Sequence, residues 1–253
     1  MSERHGPVDD RPEFVSARAA SAVPRILNAR AIPAVGDDRH LPAVAPERLT
    51  AEAIRQRLKY ADSLPGGWVP DIPGDGRHFK LTREPSPASV LVPLVQREDG
   101  LHVLLTLRSE QLRDHAGQVS FPGGRAEPFD QDAADTALRE TEEEVGLART
   151  HIEVIGRMPT YTTVTSYIVT PVVALVQPPF TLSLDRTEVD EAFEVPLRFL
   201  MTPGHHQRHV FTFDGGARQF LSMPWTPPGS TREYFIWGAT AAMLRNLYGL
   251  LKA

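Results

Sequence analysis

Cysteine is absent from all 253 residues. That excludes a disulfide scaffold, a thiolate zinc site and a cysteine nucleophile. No apolar run approaches 18 residues, so no transmembrane helix is expected, and the N-terminus lacks the apolar stretch of a secretory signal. Excess basic charge is missing too. The 27 Lys and Arg stand against 32 Asp and Glu, a net charge of −5. A chain of that sign is not built to coat nucleic acid or anionic lipid. Together these absences lead us to expect a cytoplasmic protein with neither membrane nor nucleic acid as partner. Apolar residues make up 41% and charged residues 23%, ordinary for a globular chain with a sizeable core.

Residues 1–45 mix Pro, Gly, Ala and both charge signs without periodicity, which reads as an irregular or disordered tail. Residues 46–85 read as a helix followed by a Pro/Gly-rich connector. Thr50 precedes AEAIRQRLKYA, in which Ile54, Leu58 and Ala61 form one apolar stripe, so a helix is expected over 49–62. The compact domain is expected over 86–253. SVLVPLVQ and LHVLLTL flank Glu98-Asp99-Gly100 as strand, turn, strand. Further strands are expected at 152–158, 167–176, 209–213 and 217–221, the last two around Asp214-Gly215-Gly216. Helices are expected at 132–145 and 235–251, the second with Ile236, Met243, Leu247 and Leu250 on its buried face. The pattern is α/β (α+β), a mixed sheet between helices.

The first of those helices carries the chemistry. Over Glu127–Glu144 eight acids oppose Arg139 alone, a charge of −7 in 18 residues, so the rest of the chain sums to +2. Asp132 and Asp135 suit a helix start. Glu140, Glu142, Glu143 and Glu144 crowd the last two turns before Gly146, where negative charge opposes the helix dipole by about 0.3–1 kcal/mol per group. Glu140, Glu143 and Glu144 share one face at i, i+3 and i+4 and repel one another, and no lysine follows within a turn. Glu142 points elsewhere, toward solvent. A divalent cation with oxygen ligands, Mg²⁺ or Mn²⁺, would turn that repulsion into a site. The alternative is a solvated acidic face. Just upstream, FPGGRAEP places Gly123 and Gly124 in a loop whose exposed N–H groups can meet phosphate oxygens.

FPGG…ALRETEEEVGL resembles the Nudix box: Gly, five residues, Glu, seven residues, Arg-Glu, an apolar residue, any residue, Glu-Glu, any residue, Gly, apolar. The second half matches as Arg139 to Leu147, with Thr141 at the apolar position. In the first half Gly124 and Arg139 are one residue too far apart, and Asp130 or Gln131 stands where the upstream Glu is expected. Asp130 or Glu127 is thus the candidate partner of Arg139. The preceding segment, Leu104–Gly124, resembles the signature of the coenzyme A pyrophosphatase subfamily. Leu104, Leu105, Thr106, Arg108, Ser109, Arg113, Gly117, Phe121, Pro122, Gly123 and Gly124 meet every fixed position.

The resemblance implies a Nudix hydrolase domain over 86–253 that cleaves the pyrophosphate of coenzyme A, or a CoA derivative, to 3′,5′-ADP and 4′-phosphopantetheine. It implies Glu140 and Glu144 as principal metal ligands and Glu143 as a third ligand or the group that handles the water proton. Arg139 holds the helix–loop geometry. Arg108 and Arg113, with Gly123 and Gly124, meet the substrate, although an internal salt bridge is an equal reading for each arginine. Glu188 and Glu191 are candidates for a general base outside the box, with surface charge in a loop or helix start as the plainer reading of each. The same resemblance admits ADP-ribose or NADH as substrate, a non-catalytic ligand sensor, and a homodimer. His205, His206 and His209 have spacing that invites zinc, but a loop of surface histidines is the expected reading, and His115 is expected to have a local structural role. Trp225 and Tyr234 could stack on a base, whereas Trp237 is expected in the core.

Overall fold

The near-continuous apolar run of β2 (Ser86–Arg97) has one cause: this strand is paired on both edges and covered on both faces. The computed structural model describes residues 25–75, 84–112, 114–214 and 216–253. β2 runs antiparallel to β3 (Gly100–Arg108) through Leu94↔Val103 and parallel to β8 (Tyr167–Val176) over ten positions, Ser86↔Tyr167 to Val95↔Val176. Parallel pairing places helices over the faces, which is why such strands do not alternate. Leu91, Leu94 and Val95 are fully buried.

Beyond the Glu98-Asp99-Gly100 turn, β2 and β3 separate. The first half of β2 pairs instead with β5 (Gly123–Arg125), and the second half of β3 pairs with β4 (Val119–Ser120). The glycine-rich segment is therefore held between two diverging strands. β9 (Val189–Pro196) covers the other edge of β3, while β6 (Ile152–Arg157) and β7 (Tyr161–Thr162) pair with β8. The result is an eight-stranded mixed sheet.

One face of it lies under α2 (Ala133–Val145), where Ala137 meets Leu91 and Val172, and Val145 meets Leu104. The main core fills the other face. It draws Ile54 and Leu58 from α1 (Ala51–Ser63), Leu244 and Leu247 from α4 (Gly238–Lys252), and Leu197 and Leu200 from α3 (Leu197–Leu200). The expected mixed sheet between helices is present. It is joined by a second, antiparallel sheet of four strands, ordered β1 (Ala34–Asp37), β10 (Gln207–Phe213), β11 (Gly216–Trp225) and β12 (Tyr234–Trp237). No helix among the described residues is long and apolar enough to cross a membrane.

Three expectations change. The helix expected over 235–251 starts at Gly238; Tyr234–Trp237 is a strand, with Met223↔Ile236 in register and alternate residues buried. Ile236 is fully buried, but as a strand residue. Second, the acidic segment 189–196 is strand β9 rather than loop or helix start. Third, the part of the expected tail that is described is built into the fold, while residues 1–24 lie outside the described residues. β1 pairs with β10 through Asp37↔Gln207. Asp38 is fully buried and accepts from Arg208 Nε (2.6 Å) and Nη2 (3.1 Å) and from Arg245 Nε (3.2 Å) on α4. Local composition cannot reveal a carboxylate whose partners are 170 and 207 residues away.

The three histidines are likewise structural. His206 and His209 are buried rather than on the surface. Each ring has a nitrogen within hydrogen-bond distance of a main-chain carbonyl: His205 with Phe199, His206 with Leu200 and His209 with Ile32.

Removing one partner of a buried ion cluster leaves the others uncompensated, at about 3–5 kcal/mol. Asp38→Ala should therefore lower the unfolding free energy by about 3 kcal/mol in urea titration. A loss below about 1 kcal/mol would mean that the segment around β1 is peripheral.

Candidate active site

Helix α2 begins where Asp132 accepts from the Asp135 N–H (2.9 Å) and ends at Gly146, whose φ of +67° turns the chain while its N–H returns to the Glu142 carbonyl (2.9 Å). Thr141, at the position where the box expects an apolar residue, is fully buried, and its hydroxyl donates to the Ala137 carbonyl (2.6 Å). Its polarity is thus satisfied within the helix.

Arg139 organises the acidic face. Its Nε and Nη2 grip both oxygens of Asp130 (2.8 and 2.9 Å), Nη1 reaches Glu140 (3.0 Å) and Glu143 (2.9 Å), and Nη2 also donates to the Arg125 carbonyl (3.1 Å). Of the two candidate upstream acids, Asp130 is therefore the partner. The bidentate guanidinium holds the Asp130 carboxyl well below the usual carboxylate range. Thr136 Oγ1 (2.9 Å) and the Glu127 N–H (2.8 Å) fix the same carboxylate. The outer face of the helix also has a cation, an arginine beyond the helix where a lysine was sought in the sequence. Arg149 pairs with Asp135 (2.6 Å) and lies 3.6 Å from Glu142, whose side chain is half exposed.

The inner carboxylates are Glu140 and Glu144. Glu144 is 3% exposed. Its Oε2 accepts from the Gly123 N–H (3.1 Å), and its Oε1 lies 3.6 Å from Arg108 Nη1. Burial pushes its pKa up to about 7; the Gly123 N–H and Arg108 pull it back, and the charges of Glu188 and Glu140 push it further. Burial likewise raises Glu140, offset by Arg139, with Glu143 and Glu188 adding to the rise. Glu140, Glu144 and Glu188 thus share one electrostatic neighbourhood.

The glycines act differently from expectation. The Gly123 N–H is committed to Glu144 and is not free for phosphate. Gly123 has φ +144°, and a Cβ there would stand 2.4 Å from the Ser89 carbonyl oxygen. A Cβ on Gly124 would stand 2.4 Å from Glu140 Oε2. Bare backbone at Gly123 lets β5 lie against β2, and at Gly124 it leaves the room that the Glu140 carboxylate occupies.

The remaining candidates separate. Glu188, just before β9, is pinned by its main chain, whose carbonyl accepts from Ser109 (2.8 Å). Glu191 is engaged elsewhere, with Tyr234 Oη (2.5 Å) and Arg232 Nη1 (2.7 Å). Tyr234 stacks on Phe193, and Trp225 and Trp237 lie edge-on against Phe199 and Phe220, so all three rings have protein partners. Glu143 is 60% exposed at its side chain and turned to Arg139. Arg113 lies outside the described residues. His115, with φ +60°, contacts Gln118 in the turn between β3 and β4, a local role as expected.

Among the described residues no three Asp, Glu or His side chains already converge as a metal cage. The donor set nevertheless suits a hard cation. Two inward carboxylates are partly buried, a third charge is nearby, and Glu144 has fewer donors than an ionised buried carboxylate needs. Arg139→Ala should release this acidic face and lower the melting midpoint by about 5 °C. An unchanged midpoint would mean that the Arg139 contacts do not hold α2 to β5.

The NUDIX domain family model matches residues 85–213. The relative named "Uncharacterized Nudix hydrolase NudL" from Escherichia coli (strain K12) is 42% identical over 162 residues, covering 63% of this chain and 80% of that protein. The protein of the same name from Shigella flexneri is 40% identical over 173 residues, covering 66% and 85%. Among solved structures, a C. elegans Ap4A hydrolase binary complex has a TM-score of 0.40 at 19% identity, covering 46% of this chain and 85% of that one. The M. smegmatis Nudix hydrolase RenU has a TM-score of 0.41 at 20% identity, covering 53% and 81%.

Proposed function

Because the chain belongs to the Nudix family of hydrolases, we propose that it cleaves the pyrophosphate bond of coenzyme A or a CoA derivative to 3′,5′-ADP and 4′-phosphopantetheine. The observation that carries this reading is the position of Arg108. The segment resembling the CoA pyrophosphatase signature folds as β3, a turn and β4, and brings the Arg108 guanidinium to 3.6 Å from Glu144. That couples the subfamily-like segment to the acidic helix. Arg108 Nε is buried without a hydrogen-bond partner among the described residues, a donor left over for an anionic ligand.

Hydrolysis of a pyrophosphate places water against an anion. A bound Mg²⁺ or Mn²⁺ would neutralise that charge and acidify water. Glu140 and Glu144 would hold the cation, and Glu143 would join them only by leaving Arg139. Arg108 binds a phosphate oxygen and offsets charge on the leaving phosphate. Arg139 and Asp130 position α2 against β5 and touch no reacting atom. Glu188 accepts the proton of the attacking water, because its charge is felt at both inner glutamates while Glu143 faces outward. The composition supports a cytoplasmic setting, in which free CoA is available as substrate.

The test is incubation with CoA and, separately, ADP-ribose, with Mg²⁺ or Mn²⁺ and with chelator, the products being separated by chromatography. Metal-dependent release of 3′,5′-ADP from CoA, well above turnover of ADP-ribose, is expected. Turnover of ADP-ribose alone would retain the metal site and overturn the CoA reading; silence on both would favour a ligand sensor. Loss of a general base lowers rate by about 10²–10⁴-fold. Glu188→Gln should lower kcat into that range with KM little changed, and a wild-type kcat would remove Glu188 from the mechanism.

A further inference from the structure

A cleft of about 310 Å³ opens beside the β3–β4 turn, and the chemistry above does not use it. One wall is Leu107 with Ala116, Gly117 and Gln118; the opposite wall is Tyr234, Phe235 and Trp237 of β12; residues 27–30 close a third side. Its size is at the low end of small-molecule sites. It adjoins the candidate active site through main chain. The Arg108 N–H donates to the Gln118 carbonyl (3.0 Å), and the Gly117 N–H donates to the Arg108 carbonyl (3.1 Å). Arg108 turns its side chain to Glu144 under α2 while Leu107 packs with the main core on the other face, so a ligand with its pyrophosphate at Arg108 reaches this cleft by passing around the end of the same hairpin. A second cavity, of about 340 Å³, is lined by Ala133 and Arg157, at the opposite end of α2 from Glu144.

The wall formed by β12 is unusual. β12 is the last strand of its sheet, so among the described residues one edge has no strand partner. The ladder places Pro224 opposite Phe235. Pro has no N–H, so this pair is of the kind without mutual ladder bonds, and the Phe235 N–H and C=O point to the free edge. Trp237, two residues on, directs its N–H the same way. Both residues line the cleft. An outward donor and acceptor on an extended strand match one chemistry well, an extended chain carrying amide groups, as in strand addition. The segment 27–30 is fastened over the cleft. Arg30 Nη2 donates to the Glu233 carbonyl (3.2 Å), and its guanidinium lies 5.4 Å from the Phe235 ring centroid.

We propose that this cleft binds the amide-bearing arm of the substrate, the pantetheine portion of a CoA, with the main chain of Phe235 and Trp237 pairing to its amides. The proposal rests on the CoA reading for its biological ligand, but the cleft can be tested apart from turnover. Amide resonances of the full-length protein are followed while pantetheine alone is added. The Phe235 and Trp237 N–H signals should move first and saturably. In parallel, Ala116→Trp places a bulky ring from an exposed turn position into the cleft. It should raise KM for CoA at least fivefold with kcat within twofold, and should suppress the pantetheine-induced shifts, its melting midpoint confirming that it folds. Shifts confined to residues away from the cleft, or an Ala116→Trp variant that binds pantetheine as wild type does, would overturn the proposal. A wild-type protein that shows these shifts yet leaves CoA intact would uphold the cleft and defeat the hydrolase reading instead.

Discussion

A helix that ends in four glutamates can lie against a sheet only if positive charge reaches it from within and beyond. Here Arg139 does most of this work, holding Asp130 on one side and Glu140 and Glu143 on the other while donating to the Arg125 carbonyl. The clamp fixes α2 relative to β5, and β5 then presents the Gly123 N–H to Glu144. A chain of contacts thus links a salt bridge to the inner carboxylate. Arg149 offsets the outer acids, Asp135 and Glu142, that Arg139 does not reach. Glu144, buried and held by one N–H and by Arg108 at 3.6 Å, keeps a raised pKa, and its under-compensated charge is the chemical resource of the site.

The diverging strands give this charge its setting. β2 could have continued alongside β3 for its full length. Instead each strand takes a short partner, β5 or β4, supplied by the segment between β3 and α2. That segment positions Arg108 from one side and the glycine backbone from the other, so the acidic helix and the arginine-bearing hairpin meet at Glu144. Bare backbone at Gly123 is a steric condition for the pairing of β5 with β2, because a Cβ there would stand 2.4 Å from the Ser89 carbonyl oxygen, whereas a Cβ at Gly124 would displace the end of the Glu140 side chain.

Much of this was legible in the sequence where the signal is local. Asp132 and Gly146 bracket α2, and both cap as their types dictate. The apolar runs around Glu98-Asp99-Gly100 form the expected strand pair. Asp130 was one of two acids in reach of Arg139, and geometry selects it. What was not legible depends on distant partners. Asp38 is irregular in local pattern and buried by Arg208 and Arg245. The segment 235–237 reads as the start of the apolar helix because Ile236 and Met243 are one heptad apart, and only pairing with β11 makes it a strand. Glu188 and Glu191 are equivalent in sequence, three residues apart. β9 and the turn before it send one toward the inner glutamates and the other to Tyr234 and Arg232. The loop expected at Gly123 is strand, which gives its N–H to a carboxylate rather than to a ligand.

The central claim is that the acidic helix is completed by a divalent cation at Glu144. Thermal unfolding with and without Mg²⁺ or Mn²⁺, in the wild type and in Glu144→Gln, tests it most directly. A ligand present at about 100 times its Kd stabilises the native state by about 2.7 kcal/mol, so the wild-type midpoint should rise by several degrees and return with chelator. Glu144→Gln, which removes the inner carboxylate charge, should lose most of that rise. An equal shift in both proteins, or none in the wild type, would contradict the account.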